Sequence, residues 1–146
     1  MRSGLLQLLA IATIAMACTA CAGVKLAEAD ADLEAKKFAT TPGMSNVYVY
    51  RNSSLLIDTT VSVEVDGEPV GHTGHRTFLL ESLPPGDHLI TAKGENSHTI
   101  DLTTAPGKNY FVWLEVKLGA VTNHAHLHLV SEEKGKKGVM ESRLVR

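Results

Sequence analysis

The chain has 146 residues, with 14 Lys and Arg set against 16 Asp and Glu for a formal net charge of -2. That length suits one domain around a single core. No stretch concentrates positive charge into a stripe, which excludes the usual electrostatic footing for nucleic acid.

The first predicted element is a leader. Arg2 supplies a positive start, Leu5 to Ala17 run apolar except for Gln7 and Thr13, and Cys18-Thr19-Ala20-Cys21-Ala22-Gly23 follow. A basic tip, a short apolar stretch and a small-residue processing site predict a cleaved secretory signal over residues 1–20. A spanning helix needs roughly 20 apolar residues, and Glu28, Asp30 and Asp32 arrive too soon for one. Cysteine at the cut makes the leader resemble a bacterial lipoprotein signal, in which the thiol takes a diacylglycerol. Cys21 is the expected lipidation site and Cys18 the alternative; cutting at Cys21 leaves no lone thiol in an oxidising compartment. Either cut leaves at most one unlipidated cysteine, so no disulfide is expected in the mature chain.

Residues 21–45 read as a tether. Ala27 to Lys37 place acids early and Lys36-Lys37 late, the order that suits the dipole of one or two helical turns. Of this segment only Leu26, Leu33 and Phe38 offer apolar side chains to a core, and Thr40-Thr41-Pro42-Gly43 ends it.

From Asn46 the hydrophobic period becomes two. Val47 and Val49 alternate with Tyr48 and Tyr50, and Val61, Val63 and Val65 with Ser62, Glu64 and Asp66. Asp66-Gly67 is a two-residue hairpin signal. Further strands are expected around Val70-Gly71, over Arg76 to Leu80, His88 to Lys93, and Ser97 to Thr103, with Leu83-Pro84-Pro85-Gly86-Asp87 as a turn. Tyr110 to Leu118 carries the longest apolar face; Val121 to Val130 and Val139 to Leu144 complete the set across a charged turn from Glu132 to Gly138. The prediction is an all-β, antiparallel β-sandwich of about 7–8 short strands over residues 46–146. Each sheet is expected to keep one wet side, with tyrosine hydroxyls reaching solvent.

Taken together, these segments resemble a family of bacterial lipoproteins called domain of unknown function 2846. The resemblance rests on the leader cysteine, Lys36-Lys37-Phe38, Val47-Tyr48-Val49-Tyr50-Arg51, and Val63 to Gly71. It continues through Leu83 to Ile90 and Pro106-Gly107-Lys108-Asn109-Tyr110-Phe111-Val112. The middle section is also similar to small surface β domains of the PEGA type. The resemblance implies a fold and a place in the cell envelope. It implies no catalytic residue.

Seven histidines invite a metal reading. His124, His126 and His128 alternate with Ala125, Leu127 and Leu129, and alternate strand residues share a face about 6.5–7 Å apart. Two such imidazoles could chelate zinc, copper or nickel; otherwise they form the wet side of a strand. Arg51 reads as a strand-end cation paired with Glu64 or Asp66. No G-x-S-x-G elbow, no cysteine beyond Cys21 and no glycine-rich phosphate loop is present, so neither catalysis nor a cofactor is expected.

The expected function is that of a non-catalytic envelope module, tethered by an N-terminal lipid to a bacterial membrane and offering loops or an edge strand to a protein or envelope partner. No aspartate follows either cysteine, which points to the outer membrane, facing the periplasm. The alternative is a periplasmic metal-binding protein using the His124/His126/His128 face.

Overall fold

The computed structural model describes residues 23–53 and 59–146. The leader, Cys18 and Cys21 lie outside the described residues. Two sheets face one another. One has five strands in the order β8-β7-β1-β4-β9, the other four in the order β3-β2-β5-β6. The elements run α1 (Ala29–Ala35), β1 (Ser45–Arg51), β2 (Val61–Val65), β3 (Glu68–Thr73), β4 (Thr77–Leu83), β5 (Gly86–Lys93) and β6 (Ser97–Thr104). They end with β7 (Asn109–Leu118), β8 (Asn123–Val130), α2 (Glu132–Met140) and β9 (Arg143–Leu144). Among the described residues no helix is long and apolar enough to cross a membrane.

The sandwich core is built as the alternation predicts. Val47 and Val49 of β1 meet Val61, Val63 and Val65 of β2, with Ile90, Leu102, Val112, Leu114 and Leu127 filling the space between the sheets. The turns sit where glycine is needed: Asp66 and Gly67 both adopt positive φ, at 53° and 84°, as a two-residue hairpin requires. The chain passes repeatedly between sheets, so strands distant in sequence become neighbours. β1 pairs β7 in parallel, and β4 pairs β9 in parallel. The five-stranded sheet is therefore mixed, where wholly antiparallel pairing was expected.

Two further expectations are corrected. The segment from Glu132 to Gly138 is helical, within α2, rather than a charged turn, and only Arg143–Leu144 of the expected last strand pairs. Ser131 caps α2 by accepting from the Lys134 N–H; Glu132 and Glu133 lie in the first turn and Lys137 in the last, the charge order a helix dipole favours. Its buried face is Gly135, Gly138 and Val139. A Cβ on Gly135 would fall 2.1 Å from Phe111 Cγ, and one on Gly138 2.0 Å from Tyr50 Cε2. Hydrogen in place of a side chain lets the helix rest directly on the rings.

That contact overturns the second expectation. The tyrosine face of β1 is not wet: Tyr48 and Tyr50 are as buried as the valines opposite, and they form a second core with Phe78, Phe111, Ala35 and Val139. Tyr48 stacks on Phe111 with ring centroids 5.1 Å apart, and Phe38 meets both. The Tyr48 hydroxyl donates to the Ala35 carbonyl at 2.9 Å rather than to solvent.

Helix α1 is docked by charge as much as by apolar contact. Leu33 is exposed, whereas Asp32 is buried. One Asp32 oxygen accepts from the Leu144 N–H at 2.7 Å and the other from Lys36 Nζ at 2.8 Å; Lys36 also donates to the Ser142 carbonyl. Burial pushes the Asp32 carboxyl up, but hydrogen bonds from Lys36 and Leu144 outweigh it and hold the group below the ordinary carboxylate range.

Candidate functional site

The three histidines singled out on β8 do share the outer side of the strand. What they face, however, are partners other than one another. β8 lies against β7 with Glu115 opposite His126 and Trp113 opposite His128. His128 Nε2 is 3.0 Å from Glu115 Oε2, and its ring lies 5.2 Å from the indole of Trp113. Lys134 of α2 covers the same indole at 4.6 Å. His126 sits edge-on to His98 of β6 at 5.3 Å, and 6.5 Å from His128. Among the described residues His124 reaches the Thr122 hydroxyl, at 3.3 Å. Among the described residues no group of three His, Cys, Asp or Glu side chains is placed to hold a metal ion. The spacing that gave one face did not give convergence, so the metal reading of His124, His126 and His128 loses its geometric support.

Electrostatics along this row are mild. Burial, together with His98 and Lys117, pulls the His126 value down and favours its neutral form. Burial pushes Glu115 up, but His128 and Lys117 bring it below the ordinary range.

His98 and its neighbour Asn96 have another task. His98 is on β6 and Asn96 in the turn between β5 and β6, yet both bond the free edge of β8 in the five-stranded sheet. The Asn96 amide accepts from the Ala125 N–H at 2.7 Å and donates to the Ala125 carbonyl at 3.1 Å, as a paired strand would. His98 Nδ1 accepts from the Leu127 N–H at 3.1 Å. An unpaired edge is a template for further strands, and here side chains occupy it. At the other edge of this sheet, Ala27 and Arg146 N–H groups bond across Leu144 and Lys25, with Leu26 bridging Val145.

The strongest polar constellation was not singled out in the sequence. His88, on β5, is buried with both ring nitrogens facing oxygen acceptors: Nδ1 lies 2.7 Å from Asp66 Oδ2 and Nε2 lies 2.8 Å from the Pro84 carbonyl. Two acceptors require two ring protons, hence an imidazolium. The hydrogen bond to Asp66 raises the His88 value against burial, which works the other way, and the Pro84 contact adds to the rise. Asp66 is held below its ordinary range by His88 and by the Leu89 N–H, which donates to Oδ1 at 2.8 Å. The clip joins the β2–β3 turn to the Pro84-Pro85 corner, so it is structural. Its one sequence signal was a histidine shortly after Pro-Pro-Gly beside an Asp-Gly turn.

Arg51 is fully buried, and its guanidinium donates to the Thr59 carbonyl. Glu64 pairs with Lys93 and Asp66 with His88, so neither acid proposed as its partner serves that purpose. At the end of the sandwich where β2 begins, a cleft of about 510 Å³ opens between the sheets over Val61, Val116 and Ala125, with Ser62, Lys93 and Asn123 at its rim. Its polar groups do not converge as a nucleophile, base and oxyanion donors would.

A family described as "Protein of unknown function (DUF2846)" matches residues 41–126. An uncharacterised protein of Haemophilus influenzae is 33% identical over 128 residues, which is 86% of this chain and 76% of that protein.

Proposed function

The chain belongs to the DUF2846 family, and from that premise we propose that it is a non-catalytic module of the bacterial envelope, held to a membrane by a lipid on Cys21. The observation that carries this reading is the leader: a basic tip, an apolar stretch and cysteine at a small-residue cut, entering a domain within a few residues. Two or three acyl chains suffice for stable anchoring where one is marginal. With no aspartate after the cysteine, the reading places it in the outer membrane facing the periplasm. The partner is a protein or another envelope component, and no nucleic acid is involved. Nothing in the family or in the described side chains points to catalysis.

Intact-mass analysis of the membrane fraction tests the anchor. The expected product begins at Cys21 and carries the diacylglycerol increment, and Cys21→Ala releases the protein from membranes. A mature chain of unmodified mass that washes off in buffer overturns it.

A further inference from the structure

We propose that the sandwich stands end-on to the bilayer, with Leu118 and Val121 at the β7–β8 tip seated in the lipid interface. This deepens the anchored reading above and rests on it.

Strand register sets the two ends apart. Val61 of β2 pairs Thr73, Arg51 of β1 pairs Thr77, Lys93 of β5 pairs Ser97, and β7 and β8 meet at Leu118 and Asn123. These termini therefore gather at one end. The chain enters the fold there too: Gly23 and Val24 line a cleft with Thr60 and His72, and those two residues also line the larger cleft reaching Val116 and Asn123. Only Ala22 lies between Cys21 and Gly23, and two residue steps span at most about 7 Å. Lipid on Cys21 would hold this end, and no other, against the membrane; lipid on Cys18 would allow roughly 17 Å.

The composition of the two ends differs in the sense this requires. At the entry end the tip Leu118-Gly119-Ala120-Val121 has no charge, and it closes through a hydrogen bond from Gly119 N–H to the Thr122 carbonyl. Val121 is 94% exposed and Leu118 63% exposed, so packing within the domain does not explain their apolar character. Lys25, Arg76 and Arg146 stand exposed around the same end, with Lys117 beside its partner Glu115, cations suited to anionic headgroups; of the acids there, Glu95 accepts from the Asn123 N–H and Glu141 from Asn52. The opposite end turns through Asp66-Gly67, Pro84-Pro85-Gly86-Asp87 and Pro106-Gly107, all polar or stiff. Apolar residues at a tip with flanking cations match an interfacial contact. The acyl chains supply attachment; the tip adds a second point, and two points fix an orientation.

The test uses the full chain, expressed with its leader in a Cys18→Ala background and reconstituted in phosphatidylethanolamine/phosphatidylglycerol vesicles. A fluorescent thiol probe is placed by Val121→Cys, and in a second protein by Lys108→Cys at the far end. Mass analysis first establishes the lipid on Cys21, and circular dichroism the fold. The expected result is that the Val121 probe is quenched by nitroxide-labelled lipid and shielded from aqueous iodide several-fold more than the Lys108 probe. Equal behaviour of the two probes in a lipidated, membrane-bound protein overturns the orientation while leaving the anchor intact. Unlipidated, soluble protein overturns both. Shielding of Val121 in native membranes but not in the vesicles means a protein partner covers the tip, and also overturns the proposal.

Discussion

On the five-stranded sheet, Tyr48, Tyr50, Phe78 and Phe111 point away from the sandwich and are as buried as the valines behind them, beneath α1 and α2. On the four-stranded sheet the corresponding outward positions are Leu89, Thr99, Asp101 and Thr103, all exposed. Both sheets show the same period of two. What distinguishes them is the chemistry of the outward residue, aromatic on one and, Leu89 apart, threonine or acid on the other. Aromatic rings bury 150–250 Å² each and need cover; threonine in a strand satisfies itself with solvent or a cross-strand neighbour, as Thr91 and Thr99 do at 3.0 Å.

The sharpest way to break this contrast is to lift the cover. Gly138→Ala and Gly135→Ala each drive a methyl into a buried ring that has no room to move. Overpacking of this kind costs about 1–3 kcal/mol, and the better helix propensity of alanine returns only about 1 kcal/mol. Given contacts near 2 Å with ring carbons, we expect each variant to lose about 2 kcal/mol net in urea unfolding, with raised fluorescence of Trp113 as α2 shifts. A neutral or stabilised Gly138→Ala would mean that α2 does not lie on Tyr50. Next in size, Asp32→Ala removes the acceptor of Leu144 N–H and the counter-charge of Lys36, both near-buried. Leaving the Leu144 N–H unmatched, and Lys36 with the Ser142 carbonyl in place of a counter-charge, costs roughly 2 kcal/mol. Because the Asp32 value is held below its ordinary range, this stabilisation is present above the unfolded-state carboxylate value and disappears as pH falls through the lower folded one.

The contrast also explains what was legible in the sequence. Period-two alternation and turn residues exposed two layers of strands, and Val47, Val61, Val63, Leu114 and Leu127 all fell into the expected core. The helical cover was hidden for a physical reason. α2 buries glycine rather than leucine, so the apolar stripe by which an amphipathic helix is read is missing, although Ser131 and the ordered charges were visible. α1 was expected as one or two helical turns but not as cover, since it buries Asp32 and leaves Leu33 outside. The histidine row on β8 was correctly assigned to one face, but a sequence does not reveal that Glu115, Trp113 and His98 will engage those rings first. His88 was passed over because its two partners, Asp66 and Pro84, converge only once β2 and β5 are paired.

Without helices, the four-stranded sheet is tied at its turn instead, which gives a smaller and pH-dependent effect. The folded value of His88 is raised above the ordinary histidine value of about 6.5. Its contribution is therefore complete below that value and is lost as pH climbs through the folded one. Asp66 has the opposite sense: its contribution is complete above its ordinary value of about 3.9 and is lost as pH falls through a lower folded one. Between the two the clip is fully formed. Asp66 is half exposed and screened, so we expect about 1 kcal/mol of stability to fade on the alkaline side. Subtracting the profile of His88→Gln isolates it; identical slopes in the two proteins would show that the ring is not held as an imidazolium.

The smallest effect is expected on the bare face itself. Thr99→Ala deletes one hydroxyl of the Thr91–Thr99 pair, in contact with water, and leaves every ladder bond between β5 and β6 in place. Cross-strand pairs contribute about 0.2–1 kcal/mol, and an exposed member of one sits at the low end, so urea unfolding should move by less than about 0.5 kcal/mol. So small an effect requires that nothing packs over β5 and β6. A loss as large as that of Gly138→Ala would require this face to be covered in solution, by a second copy or by part of the same chain. The asymmetry between the two sheets would then belong to the isolated domain alone.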